Sequence, residues 1–388
     1  MNKKDISSLK KEFSLDSYKL KLKEIYSVYI KKDNRAIIHS EGKYFDMLDA
    51  ETQELYLDNF KKILSGSLDT KLFQLDFNNL EAEDSTQKML YSALSEDDIE
   101  GFQMQMNKVI DKVIAYYNYD MDIVMSFIRA DYYKGVSEKI DDYNRGEDDS
   151  SEGYQFIMAT VNKVEIPKKT LMFDVANLQL RANSSLDITI NLANPIEGFT
   201  FPIIDNGYSN VSKVLYYTSK TKERDTTFLE GVLGCEFTLT AEEEKDSFNA
   251  IISTVTAGKL TPTMIQDIYE EIYERAQDVE EGEIPTIGAK DIKSILECRD
   301  IEVAVDVEQA YEEVLATKEK ELKVENVLPK LKGKSIKISN EDTNITISPK
   351  NLSTVKQVRD KNGNKCLLIQ LTEDVVLDGL PIDVEEEF

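Results

Sequence analysis

Apolar residues recur along this chain at two spacings, every second residue and every third or fourth, and the switches between them mark out its elements. Leu9 and Phe13 share a short helical face near the start. Tyr18, Leu20, Leu22, Tyr26, Val28 and Ile30 then fall on one side of a predicted strand, with Lys19, Lys21 and Lys23 on the other. Asp33-Asn34 supplies a turn into a partner strand, Arg35 to His39. Asp49 is placed to cap a helix with Tyr56, Phe60, Ile63 and Leu64 on its inner face and Gly66 just past its end.

Ser95 reads as the cap of the next helix, with Glu96, Asp97 and Asp98 at the positive end of its dipole and Phe102, Met106, Val109, Ile110, Val113 and Tyr117 along its buried side. Asp122 to Arg129 reads as a strand. The acidic stretch from Gly146 to Gly153 reads as an exposed loop and a segment boundary. Tyr154 to Val161, Leu186 to Ile190 and Val214 to Thr218 are strand-like, at a spacing that predicts an antiparallel sheet.

Helical spacing returns with a capping box, Thr240 and Glu243, ahead of Phe248, Ile251, Ile252 and Val255. Thr261-Pro262 starts a further helix carrying Met264, Ile265, Ile268 and Ile272, and Val307 to Leu315 forms another. From Pro329 onward the chain reads as short strands and turns, including the turn Asp360 to Asn364. The fold expected is α+β, mixed helices with largely antiparallel sheets and a small C-terminal β unit. Three segments are expected: an N-terminal α+β segment (1–150), a central segment that is β-rich and then helical (151–330), and the C-terminal β unit (331–388).

Charge changes this picture from fold towards partners. The 388 residues carry a net charge of -26, yet residues 1–80 sum to +1, while 81–150 carry -10 and 261–330 carry -11. Such an acid excess repels nucleic-acid phosphates and anionic headgroups, so neither direct nucleic-acid binding nor a membrane surface is expected. No apolar run is long enough to span a bilayer. Cys235, Cys298 and Cys366 are an odd, scattered set without a C-x-x-C pair, which fits a reducing, cytoplasmic setting and neither a disulfide framework nor a cysteine zinc site.

His39 is the single histidine, and there is no tryptophan. One imidazole removes most metal sites and most acid-base pairs that operate near neutral pH. Neither G-x-x-x-x-G-K-[ST] nor G-x-G-x-x-G occurs, and no cofactor is called for. Cys235, between Gly234 and Glu236, reads as a packed thiol in preference to a nucleophile. Asp142, Asn144 and Gly146 imitate part of a calcium loop, but its glycine and closing glutamate fall out of register.

Oxygen-liganded metals need no histidine, which leaves Asp120 and Asp122, at a strand start, as the candidate pair for a metal. Glu270, Glu271 and Glu274 on one helix read instead as a solvated face. The lysines at 19, 21 and 23, and those at 330, 332, 334 and 337, suit edge protection or internal charge pairing. The aromatics Phe199, Phe201, Tyr216 and Tyr217 either line a ligand groove or make core contacts on alternate faces of strands.

The runs Gly198-Phe199-Thr200-Phe201-Pro202, Ser212 to Thr218 and Leu233 to Glu242, with the opening Met1 to Ile6 and the hairpin-rich end, resemble an uncharacterised domain-of-unknown-function family of Gram-positive anaerobic bacteria. The resemblance covers most of the chain. It implies a bacterial source and brings no activity, cofactor or catalytic residue with it. The function expected from the residues is a non-catalytic, cytoplasmic scaffold that binds a protein partner or itself through sheet edges and tyrosine-rich surfaces. The alternatives are a carboxylate-only metal-dependent hydrolase, with Asp120 and Asp122 as ligands, and an acidic nucleic-acid mimic that binds a basic protein.

Overall fold

In the computed structural model the strand-forming runs assemble into one large antiparallel sheet with helices on both faces, followed by a separate helical unit. The structure describes residues 1–78, 82–134, 152–165, 171–174, 177–182, 188–205, 208–220, 226–236, 238–277, 279, 284–316, 320–328, 336–340, 342–371, 375–377 and 380–381. Two compact units divide the chain, Met1–Thr238 and Leu239–Phe388. The fold is α+β.

The first unit begins with α1 (Lys3–Lys11), β1 (Leu20–Lys31), β2 (Ala36–Tyr44), α2 (Ala50–Lys62) and β3 (Leu72–Asp76). Next come α3 (Thr86–Leu94), α4 (Ile99–Ala115), β4 (Ile123–Lys134), β5 (Glu152–Glu165), β6 (Leu171–Asp174), β7 (Gln179–Ala182) and β8 (Thr189–Ile190). It ends with β9 (Glu197–Phe201), β10 (Ile203–Asp205), β11 (Tyr208–Asn210) and β12 (Lys213–Thr218). The sheet order is β2-β1-β4-β5-β9-β12-β3, with β8 pairing on β5. The acidic stretch read as a boundary lies outside the described residues up to Ser151, and the strands on either side of it, β4 and β5, pair over their full facing length.

Both faces of this sheet are buried. On one, Phe102, Met106, Val109 and Ile110 of α4 and Leu90 of α3 pack on Phe127, Ile157, Phe199, Phe201 and Tyr216. On the other, Ile6 and Leu9 of α1 and Leu57 and Phe60 of α2 pack on Ile128, Ala130, Met158 and Tyr217. Alternate residues of one strand therefore feed two cores, as Phe127 and Ile128 do. At Gly198 the chain packs closely on both sides: a Cβ there would meet the Ala159 carbonyl of the neighbouring strand at 2.3 Å and the side chain of Ile63, just past α2, at 2.9 Å.

Three expectations change. The predicted single face of β1 is split by a bulge between Leu22 and Ile25, where the pairing with β4 shifts. The extra residue reverses the alternation, so Leu20, Leu22 and Ile25 face the α1/α2 core while Tyr26, Val28 and Ile30 face the α3/α4 core. Ser95 does not cap α4. It closes α3, donating its N–H to Ser92 O, and Asp98 is the cap, accepting from Gly101 N at 2.8 Å. Finally β1 is an interior strand, so its lysines protect no edge; Lys23 pairs internally with Asp131 of β4 at 2.9 Å.

The second unit contains α5 (Ala241–Val255), α6 (Pro262–Gln277), β13 (Thr286–Ile287), α7 (Ala289–Cys298), α8 (Val307–Leu315), β14 (Leu322–Lys323) and α9 (Val324–Val327). The hairpins β15 (Ile336–Ser339) with β16 (Asn344–Ile347), β17 (Val355–Arg359) with β18 (Lys365–Ile369), and β19 (Val376–Leu377) with β20 (Leu380–Pro381) complete it. The Thr240/Glu243 capping box forms as expected. Phe248, Ile251, Ile268, Ile272, Ile295 and Tyr311 build one core. Glu271 is not simply solvated: Arg275, and then Arg299, hold its carboxyl below the usual carboxylate range. Lys330, Lys332 and Lys334 lie outside the described residues.

Candidate functional site

The site that stands out is an open cleft of about 520 Å³ in the first unit, where the C-terminal end of α3 meets the ends of β4 and β5. Tyr91, Leu94 and Ser95 form one wall. Asp131 and Tyr133 of β4, with Gly153 and Gln155 of β5, form the floor, and Pro202, Ser209 and Val211 close the far side. The Tyr133 ring lies beside Gly153, 3.4 Å from where a Cβ would stand, an ordinary contact distance. The volume falls in the range of small-ligand and peptide-segment sites, and tyrosines supply apolar area with a hydrogen-bonding tip.

A buried ion pair anchors the wall. Arg129 of β4 donates from Nε to Glu24 Oε2 at 2.9 Å and from Nη2 to Glu24 Oε1 at 2.7 Å, a bidentate pair that both residues keep out of solvent. Its remaining Nη1 donates to Ala93 O at 3.1 Å and to Glu96 O, two carbonyls at the C-terminal end of α3. The guanidinium also lies over the Phe102 ring, 5.4 Å from its centroid. One side chain thus ties β1, β4, α3 and α4 together and fixes where Tyr91, Leu94 and Ser95 stand. Gln87 of α3 adds a second tie, donating to Val211 O at 3.2 Å on the opposite wall.

Within the cleft Asp131 is neutralised by Lys23, and neither histidine nor cysteine lines the walls. The arrangement offers aromatic faces, two serine hydroxyls, an amide and an internally balanced ion pair. Among the described residues no unpaired acid or base lines it.

The sequence-predicted residues lie elsewhere. Phe199, Phe201 and Tyr216 are buried in the α3/α4 core, and Tyr217 in the α1/α2 core, where burial pushes its hydroxyl pKa up. None of the four lines the cleft. Asp122 clamps the β1–β2 hairpin, accepting from Tyr29 OH at 2.8 Å and from Lys32 N at 2.9 Å. Asp120 contributes its backbone carbonyl to Lys32 Nζ. Among the described residues no three histidine, cysteine, aspartate or glutamate side chains converge as a metal-binding set.

Cys235 packs in the α3/α4 core, its thiol pushed up to about 12 by burial and then by the Asp76 charge. His39 is exposed on β2, opposite Tyr29. The calcium-loop imitation at Asp142, Asn144 and Gly146 lies outside the described residues.

Sequence reasoning missed the cleft because its walls come from α3, β4, β5 and the β11 region. One signal was present: Arg129 and Asp131 interrupt an apolar strand run, and charges in such a run need partners.

Among the described residues no helix is long and apolar enough to cross a membrane. No curated protein matches the chain. A family model matches residues 1–380, and by it the chain belongs to the family described as Domain of unknown function (DUF4317).

Proposed function

We propose that this chain is a non-catalytic protein-binding scaffold, and that the cleft between α3 and the β4–β5 end of the sheet takes a short segment of a protein partner. The cleft itself carries the reading: Tyr91, half exposed on one wall, faces a floor that holds Tyr133, and the only charged lining residue among those described, Asp131, is already paired. Tyrosines over a desolvated, charge-balanced floor are the composition of interface centres. The alternative hydrolase reading draws no support from Asp120 and Asp122, which serve the hairpin instead.

The test is quantitative affinity capture from cells that make the protein, comparing the wild type with a Tyr91→Ala/Tyr133→Ala double variant whose fold is checked by circular dichroism. Tyrosine truncations at an interface centre cost about 2 kcal/mol or more, so the partner should fall at least about tenfold on the variant. Equal capture by both proteins would refute the cleft as the binding surface. Capture competed away by duplex DNA would support the acidic-mimic reading in its place.

A further inference from the structure

The large sheet has two edges, and they are treated differently. At β3, Asp69 N–H donates to Leu72 O, Glu236 N–H to Asp76 O, and just beyond the strand Asn78 N–H to Gly234 O, so flanking chain covers both ends of that edge. At β2, β1 takes one side, and among the described residues nothing pairs with the other. The strand is exposed along nearly all its length, and it shows Ile37, Ile38 and Tyr44 to solvent, with Met47 at 76% exposure just beyond it. A bare edge with apolar side chains is a template for another strand.

From this edge we infer that β2 pairs antiparallel with β2 of a second copy of this chain, about a two-fold axis through Gly42, making one continuous sheet across a homodimer. The register follows from charge. In a two-fold antiparallel pair, residues equidistant from the axis face each other. An axis through Glu41 or through Lys43 sets a charge against its own copy. An axis through Ser40 brings in Ile38, the extra residue where the β1–β2 pairing shifts.

An axis through Gly42 sets Glu41 of each copy against Lys43 of the other, twice, and Ser40 against Tyr44. It also puts the residue without a side chain where each strand meets itself. Within one copy Lys43 Nζ already lies 2.6 Å from Glu41, on a half-exposed pair free to exchange partners. The charges that discourage pairing with a foreign edge thereby select this one.

Light scattering coupled to size exclusion, over a concentration series, tests the inference with Glu41→Lys, Lys43→Glu and the combined swap. The wild type is expected to dimerise. Each single reversal sets like charges opposite in both symmetric pairs and should weaken the dimer about tenfold. The combined swap restores both pairs and should return to within about threefold of wild type, all four proteins giving the same circular dichroism. A wild type that stays monomeric throughout overturns the inference. So does a dimer indifferent to the single reversals, or one the combined swap fails to rescue, or one lost in the cleft variant with these charges intact.

Discussion

Arg129→Met is expected to be among the most damaging single substitutions in the first unit, costing about 3–5 kcal/mol, because it strands the Glu24 carboxylate in a buried site. It also leaves the Ala93 and Glu96 carbonyls without their donor, at the end of the helix that forms the cleft wall. The same loss does not follow from removing the pair as a whole. Glu24→Leu with Arg129→Met leaves no orphaned charge and should recover at least about 1.5 kcal/mol of the single variant's deficit.

The two units make global melting a poor readout, so the opening free energy should be taken from amide exchange along β4 and α4. Exchange in the single variant within about 1 kcal/mol of wild type would contradict the anchoring role. Exchange across α3 should rise as well, since Arg129 holds its last carbonyls.

The second large effect is alkaline. Cys235 and Tyr117 in the first unit, and Tyr311 in the second, are all pushed up to about 12 from 9.0, 10.0 and 10.0, with burial the largest cause in each. In the unfolded chain these groups release their protons near the ordinary values, whereas the native protein keeps them. Above those values the native state therefore binds more protons, and stability must fall as pH rises.

Stability should be level from neutral pH to about pH 9 and then decline through about pH 12, each group adding about 1.4 kcal/mol per pH unit to its own unit once its unfolded form ionises. Urea midpoints taken separately for the transition of each unit, at a series of pH values, check this. Cys235→Ala should start lower, from the cavity it leaves, and stay flat until the tyrosines take over near 10.0. Equal midpoints in neutral and strongly alkaline buffer would refute it.

Local features were readable in the sequence where the rule is local. Asp49 caps α2, Thr240 and Glu243 form their box, and the α4 face from Phe102 to Val113 is buried, because caps and helical periodicity act within a few residues. Faces of strands were not readable in this way. With both sides of the sheet covered, Tyr216 and Tyr217 are equally buried, so alternation no longer separates inside from outside. The aromatics chosen as a groove are core residues for this reason. The bulge at Lys23-Glu24 leaves no mark in the hydrophobic pattern except one extra polar residue. β3 and α3 escaped notice as short, weakly patterned runs. The cleft needs α3 beside β4 and β5, contacts between segments far apart in the chain.

The binding claim is tested most directly by placing a photo-crosslinking amino acid at position 91, on the cleft wall, and at position 116, an exposed tyrosine at the C-terminal end of α4 that does not line the cleft. Irradiated in cells that make the protein, position 91 should yield a discrete adduct with one other protein and position 116 should yield none. No adduct at 91, or the same adduct at both positions, would contradict the account.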